Sequence, residues 1–233
     1  MNNNSYPQEY AANIAGRVSQ TMKRVYVNMT LALVVTAFVS MWCAGSEAFL
    51  SFVFNNRWAM WGLLIAEIGL VIGISAGINK LSSAAATALF YLFAVVNGAA
   101  LAPIFLVYTG ASIAKTFFIT AGTFGAMSVY GYFTSSDLSK VGSILFMALI
   151  GLIIASVVNI FAHSDTLQWI ISIAGVVIFV GLTAWDTQQI KRMAEQMPEA
   201  GVGRLAVLGA LSLYLDFINL FLYLLRFFGS SRD

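Results

Sequence analysis

The stretch ALSLYLDFINLFLYLLRFFG, residues 210–229, decides the fold class of this protein. It is long enough to cross the hydrocarbon core of a bilayer, which takes about 20 mostly apolar residues. It belongs to the last of seven apolar runs, which cover residues 25–44, 58–78, 84–108, 113–133, 141–161, 167–187 and 205–228. The sequence therefore predicts an all-α integral membrane protein that folds as a seven-transmembrane-helix bundle.

The composition excludes most other classes of protein. Of the 233 residues, 60% are hydrophobic and 9% are charged, whereas a soluble domain has about 25% charged residues. Soluble enzymes, secreted disulfide scaffolds, disordered chains and nucleic-acid binders are thereby excluded. An outer-membrane barrel is excluded as well, because its strands alternate apolar and polar residues and these runs are unbroken.

The polar ends and the basic residues predict the domain organisation and the orientation. We expect an N-terminal cytoplasmic tail at residues 1–24, a transmembrane domain at 25–228 and a C-terminal tail at 229–233. Lysine and arginine near helix ends favour the cytoplasmic side. The side that holds the N-terminus carries Arg17, Lys23, Arg24, Lys80, Lys140, Lys191, Arg192 and Arg204, and the other carries Arg57, Lys115, Arg226 and Arg232. This distribution predicts a cytoplasmic N-terminus and, after seven crossings, a C-terminus outside.

Small residues at four-residue spacing predict close contacts between helices. In the second run this spacing joins Gly69, Gly73 and Gly77, and in the fifth run it joins Gly151 and Ala155. Such spacing lets helix backbones approach closely in a membrane.

Three carboxylates inside the apolar runs are the most informative residues. They are Glu67, Asp186 and Asp216. Each charged side chain at a helix centre costs roughly 2.5–3.5 kcal/mol on insertion. These groups are therefore expected to face one another, water or a cation, or to be held neutral by hydrogen bonds to a neighbouring helix.

Polar side chains on the seventh run share one helical face. Their spacing of four, three, four and three residues matches the helical period. They are Ser212, Asp216, Asn219, Tyr223 and Arg226. The sixth run ends with a similar group, Thr183, Asp186 and Thr187. A polar face on an otherwise apolar helix points to a wet cavity or to a hydrogen-bonded seam.

Known membrane chemistries fit the sequence poorly. The seventh run has no lysine for a retinal Schiff base, and the single histidine, His163, falls in a short loop rather than at membrane depth. Two membrane aspartates are found in intramembrane aspartyl proteases, whose carboxylates share a proton. The Gly-x-Gly-Asp sequence of that family is missing before Asp216. We therefore expect a protein that is not an enzyme, with an intramembrane hydrolase as the least favoured alternative.

The segment at 210–229 and the sequence GLTAWDTQQIK at 181–191 resemble the Bax inhibitor motif transmembrane family, and its bacterial branch in particular. The resemblance implies a seven-helix bundle of the cell (inner) membrane that leaks calcium in a pH-sensitive way, with no tightly bound cofactor. It places the family's carboxylate pair on Asp186 and Asp216, and a further acidic position on Glu67. Bacterial relatives are also linked to a membrane-bound AAA protease, as modulators or substrates.

Three hypotheses follow. The first is a pH-sensitive calcium leak channel in which Asp186 and Asp216 bind calcium transiently and sense protons. Its remaining pathway residues would be Glu67, Thr183, Ser212, Asn219 and Tyr223. Calcium prefers oxygen ligands, and conduction requires binding weak enough for release. The second is a membrane regulator of an AAA protease that transports nothing, and the third is the hydrolase.

The predicted helix boundaries oppose direct contact between the two aspartates. Asp186 lies at the end of the sixth run, whereas Asp216 lies about 16 Å along the seventh run. Contact then needs a tilt, a late entry of the seventh helix or an irregular end of the sixth.

Overall fold

The computed structural model describes residues 5–230, with side chains described from residue 12 onward except at positions 57 and 199. Within this range the chain forms nine α-helices and one short 3₁₀ turn, Glu199–Gly201, before the last helix. The helices are α1 (Ser5–Ala44), α2 (Glu47–Asn55), α3 (Arg57–Gly77), α4 (Ser83–Leu101), α5 (Ile104–Val107), α6 (Gly110–Phe133), α7 (Ser139–Ala162), α8 (Asp165–Gln196) and α9 (Val202–Phe228).

Six helical segments of the described chain are long and apolar enough to cross a membrane. They are Ala12–Ala44, Trp58–Gly77, Ser83–Val107, Ser139–Ala162, Asp165–Gln196 and Val202–Phe228. The predicted helical membrane fold is therefore confirmed. The remaining long helix, α6, has 24 residues but carries Lys115 and a row of serines and threonines, so the count of seven crossings stays a prediction.

The chain divides into two compact units. Unit 1 contains the described residues up to Pro103 together with Gln189–Leu211, and unit 2 contains Ile104–Gln188 and the described residues from Ser212 onward. In unit 1, α4 packs against both α1 and α3, and α2 contacts α1 and α3. The Thr36 hydroxyl of α1 donates a hydrogen bond of 3.0 Å to the Ala94 carbonyl of α4. Gly98 permits this approach, because a Cβ there would lie 2.7 Å from the Thr36 carbonyl oxygen.

Helix α1 begins at Ser5, so most of the segment predicted as a polar tail is helical. The guanidinium group of Arg17 fastens this segment within unit 1. Its Nε donates to the Ala194 carbonyl at 3.0 Å, and its Nη2 donates to the Glu195 carbonyl at 2.8 Å. The last carbonyls of a helix have no partner within the helix, and Arg17 therefore caps the end of α8.

In unit 2, glycines bring α8 close to its neighbours. A Cβ at Gly131 of α6 would overlap the Ala184 backbone, and one at Gly142 of α7 would overlap the Trp185 ring. The buried Gln188 side chain ties α8 to the loop before α7. Its Oε1 accepts from the Leu138 amide at 2.9 Å, and its Nε2 donates to the Ser136 carbonyl at 2.8 Å.

The predicted packing role of the glycine motifs is wrong for contacts within the described chain. A Cβ added at Gly69, Gly73 or Gly151 would meet no atom within 4 Å. Four-residue spacing creates a surface that a helix can approach closely, but it does not place a helix there. The close approaches occur instead at Gly98, which has Ala94 and Ala102 four residues to either side, and at Gly131.

Two local features interrupt the predicted runs. Pro103 interrupts the third predicted run, since proline lacks the amide that a helix interior needs: α4 stops at Leu101 and the chain resumes as the four-residue α5. Helix α2 was not predicted, and it lies between the first and second runs. Ser46 caps its N-terminus by accepting from the Phe49 amide at 3.3 Å, and Asn56 caps the next helix by accepting from the Trp58 amide at 3.0 Å.

Candidate functional site

A carboxyl pair joins α8 to α9 inside unit 2. The side chains of Asp186 and Asp216 hydrogen-bond each other, and the Ser212 hydroxyl hydrogen-bonds the Asp186 carboxylate. An ionised carboxylate can only accept hydrogen bonds, so a bond between two carboxyl groups requires a proton on one of them. The structure thus brings together three of the predicted site residues, Asp186, Ser212 and Asp216, in an arrangement that can accommodate a shared proton.

The contact is possible because α8 is longer than the apolar run that predicted it. The helix continues to Gln196 through polar residues with good helix propensity, and Pro198 follows it. Asp186 is therefore about 15 Å from the end of its helix, and Asp216 is about 21 Å from the start of α9 at Val202. The two depths differ by about 6 Å, less than half of the difference implied by the predicted boundaries.

The pair has unused hydrogen-bonding capacity. Asp216 is 4% exposed, and its Oδ2 has no hydrogen-bond partner in the described structure. Trp185 Nε1 and Thr187 Oγ1, on either side of Asp186 in sequence, are also buried without a partner in that structure. A buried polar atom without a partner costs about 1–3 kcal/mol, and such atoms often indicate a bound water or ion.

Aromatic packing fixes α9 on the side of Asp216. The ring of Phe217 lies 5.4 Å from that of Phe117 and 5.5 Å from that of Phe124, both on α6, measured between centroids. Both pairs are edge-to-face, a favoured geometry for aromatic rings. Helix α6 is thereby held against the part of α9 that carries the carboxyl pair.

The rest of the polar face of α9 forms a packed seam. Tyr223 stacks on Phe179 of α8 at 5.9 Å, and a hydrogen bond joins its hydroxyl to Ser156 of α7. The Arg226 guanidinium carbon lies 5.3 Å from the centroid of the Tyr223 ring. Asn219 Nδ2 donates to the Leu215 carbonyl of its own helix at 2.8 Å.

Two other predicted residues do not join the pair. Thr183 is buried, and its hydroxyl donates to the Phe179 carbonyl of α8 at 2.7 Å. Glu67 belongs to unit 1, where its Oε1 accepts from Asn97 Nδ2 of α4 at 2.8 Å. Their participation in an ion pathway, like that of Asn219 and Tyr223, stays a prediction.

The buried hydroxyl groups of α6 were not predicted from the sequence. Ser112, Thr116, Thr120 and Ser128 are all buried in unit 2. The hydroxyls of Thr116 and Ser128 have no partner among the described residues. A step of four residues turns a helix by about 40°, so Ser112, Thr116 and Thr120 lie on one side of α6 and Ser128 lies further round the helix. This repeat of Ser and Thr is the sequence signal of the buried hydroxyls.

The carboxyl pair and Ser212 supply fewer oxygen ligands than a stable calcium site has. Calcium takes six to eight oxygen ligands in a stable site. No group of three or more His, Cys, Asp or Glu side chains comes together in the described part of the chain. Two carboxyl groups and a serine hydroxyl would have to be completed by water, and such a site releases its ion readily.

Comparison with known proteins shows similarity over nearly the whole chain. The model of the family described as "Inhibitor of apoptosis-promoting Bax1" matches residues 18–233. The inner membrane protein YbhL of Escherichia coli K12 is 52% identical over 214 residues, which cover 91% of this chain and 92% of YbhL. An uncharacterized protein of Borreliella burgdorferi is 46% identical over 214 residues, which cover 91% of this chain and 92% of the relative. An uncharacterized membrane protein of Streptococcus pyogenes is 36% identical over 216 residues, covering 92% of this chain and 94% of the relative.

Proposed function

The chain belongs to the family described as inhibitors of apoptosis-promoting Bax1, and from this premise we propose that it is a pH-sensitive calcium leak channel. The observation that carries the proposal is the hydrogen-bonded pair of Asp186 and Asp216 within two membrane helices. A cation pathway requires oxygen ligands at membrane depth, and carboxyl groups there, which are costly to insert, commonly mark such a pathway.

The shared proton supplies the pH response. With one proton on the pair, the hydrogen bond holds α8 and α9 together and leaves a single negative charge. When that proton leaves, two charges about 4 Å apart repel by about 4 kcal/mol at an effective dielectric constant of 20. The repulsion loosens the helices and creates a doubly negative site for a divalent cation. Calcium and the proton therefore compete, and calcium flux rises with pH.

Hydroxyl groups extend the pathway beyond the pair. Thr116 and Ser128 of α6 offer unpartnered buried hydroxyls in the same unit as Asp216. Hydroxyl oxygens are neutral ligands, which can replace part of the hydration shell of a cation without trapping it. The other members of the proposed pathway are those predicted from the sequence, namely Thr183, Ser212, Asn219, Tyr223 and Glu67.

The proposed location is the cell inner membrane, in agreement with the name of the Escherichia coli relative. We propose seven crossings, with α6 as the fourth. The proposed orientation puts the N-terminus in the cytoplasm and the C-terminus outside, because the basic residues are more numerous on the side of the N-terminus.

A flux assay tests this function. The purified chain is placed in liposomes that contain a calcium-sensitive dye, and calcium entry is measured at two external pH values against protein-free liposomes. The proposal expects entry above the control, and faster entry at the higher pH. Entry equal to the control at both pH values would contradict it and leave the regulator of a membrane-bound AAA protease as the better hypothesis.

A further inference from the structure

A cavity of about 460 Å³ opens within unit 1, whereas the carboxyl pair belongs to unit 2. Its walls come from α1, from the beginning of α4 and from the first turn of α9. Its size falls in the range of sites for small molecules, about 300–1,000 Å³. The residues that line the cavity include Arg24, Asn28, Ser83, Thr87, Tyr91 and Gly203.

The polar groups of the cavity form two facing rows. Arg24 and Asn28 are four residues apart on α1, and Ser83, Thr87 and Tyr91 follow at four-residue spacing on α4, so each row lies on one helical face. Arg24 is exposed and supplies the formal charge of the wall. The Thr87 hydroxyl donates to the Ser83 carbonyl at 2.8 Å, so the rows offer a ligand one cation and the side-chain donors of Asn28, Ser83 and Tyr91.

The end of α4 adds to the positive character of this cavity. Ser83 and Ala84, which line it, are the first two residues of the helix. The first amide groups of a helix have no acceptor within it and carry partial positive charge. Together with Arg24 they favour a phosphate or another anion at this end of the cavity.

The shape of the cavity indicates a ligand with an apolar part. From Ser83 to Tyr91 the wall runs about 12 Å along α4, from the end of the helix into a segment apolar enough to span a membrane. The remaining wall is alanine and glycine, and Ala88 is exposed. A free inorganic anion would use only the charged end. A phospholipid headgroup would use the charged end through its phosphate and the polar rows through its glycerol and ester oxygens.

We propose that this cavity binds the headgroup of an anionic phospholipid, with the phosphate at Arg24 and the first turn of α4. Basic pockets between membrane helices on the cytoplasmic side are suited to such headgroups. The proposal does not depend on ion conduction by the carboxyl pair.

Native mass spectrometry of the full chain in detergent tests the proposal. Phosphatidylglycerol and phosphatidylcholine with the same acyl chains are titrated separately, and the bound fractions give apparent dissociation constants. We expect phosphatidylglycerol to bind about tenfold more tightly than phosphatidylcholine. Arg24→Gln should weaken phosphatidylglycerol binding about tenfold, the usual effect of losing a charged hydrogen bond. Lys23→Gln is the matched control, since it removes an equal charge from an exposed neighbour outside the cavity, and it should change binding less than twofold.

A second variant tests the cavity without changing the charge. Ala88→Leu places a larger side chain in the wall, and it should weaken phosphatidylglycerol binding while leaving thermal unfolding unchanged. The proposal would be overturned if Arg24→Gln and Lys23→Gln weakened binding equally or if the two lipids bound equally well. It would also be overturned if Ala88→Leu bound phosphatidylglycerol as tightly as the wild type. Displacement of phosphatidylglycerol by inorganic phosphate at equal concentration would also overturn it, because the ligand would then be a free anion.

Discussion

Replacing Gly131 with alanine should weaken the contact that positions the helix of Asp186. Gly131 lies on α6 against the backbone of Ala184, two residues before Asp186 on α8. A Cβ at Gly131 would overlap the Ala184 carbonyl oxygen and lie 2.9 Å from its Cα. Carbon atoms in good contact are about 3.5–4.0 Å apart. The obstacle is backbone rather than a flexible side chain, so the two helices must separate.

The expected cost follows from the behaviour of overpacked cores. Inserting a methyl group into a packed site costs typically about 1–3 kcal/mol, and the upper half of this range applies where backbone must move. For a chain of this size, each kcal/mol corresponds to about 2–4 °C in Tm. Gly131→Ala should therefore lower Tm by about 5–10 °C.

The measurement is thermal unfolding of purified variants in one detergent, followed by intrinsic tryptophan fluorescence. Gly125→Ala is the matched control on the same helix, because a Cβ there would meet no atom within 4 Å. Alanine favours a helix more than glycine does, so Gly125→Ala should leave Tm unchanged or raise it slightly. If both variants unfold at the same temperature, the close contact between α6 and α8 does not exist as described.

Three further predictions concern stability, accessibility and topology. Gln188→Leu removes two buried hydrogen bonds to the loop before α7 and should cost about 2–4 kcal/mol in unfolding assays, whereas Gln189→Leu, at the next position, should cost less than half as much. In a Cys43→Ser background, Asn219→Cys should react with a water-soluble maleimide. Val177→Cys, at an apolar position on the outside of the protein, should not react, and equal labelling of the two variants would contradict a water path along α9. A reporter active only in the cytoplasm should work when fused to the N-terminus and fail at the C-terminus, and activity at the C-terminus would overturn the seven-crossing topology.

The carboxyl pair could be predicted because the sequence alone shows two acidic residues within apolar runs. An acidic residue within an apolar run is costly, so Asp186 and Asp216 require partners however the helices are arranged. Their contact was harder to predict, because an apolar run marks the part of a helix that suits lipid rather than the helix itself. Helix α8 continues through a polar segment to Gln196, and α1 extends back to Ser5 for a similar reason.

Features that depend on a partner surface were not predictable from one segment alone. The spacing of Gly69 and Gly73 indicated a surface for close packing, yet the close contact occurs at Gly131, which has no such motif. The buried hydroxyl groups of α6 were overlooked because serine and threonine are tolerated on either side of a membrane helix. The packing of Phe217 against this helix and the close contact of Gly131 with Ala184 show which of its faces is buried.

The most direct test of the proposed function is the pH dependence of calcium entry into liposomes that contain the double variant Asp186→Asn/Asp216→Asn. Asp165→Asn is the control, since it removes an exposed carboxylate at the start of the same helix α8. The wild type and the control should both show calcium entry that rises with pH. The double variant, inserted and folded like the wild type, should show slow entry that does not change with pH. Calcium entry by the double variant with the rate and pH dependence of the wild type would contradict the proposed role of the carboxyl pair.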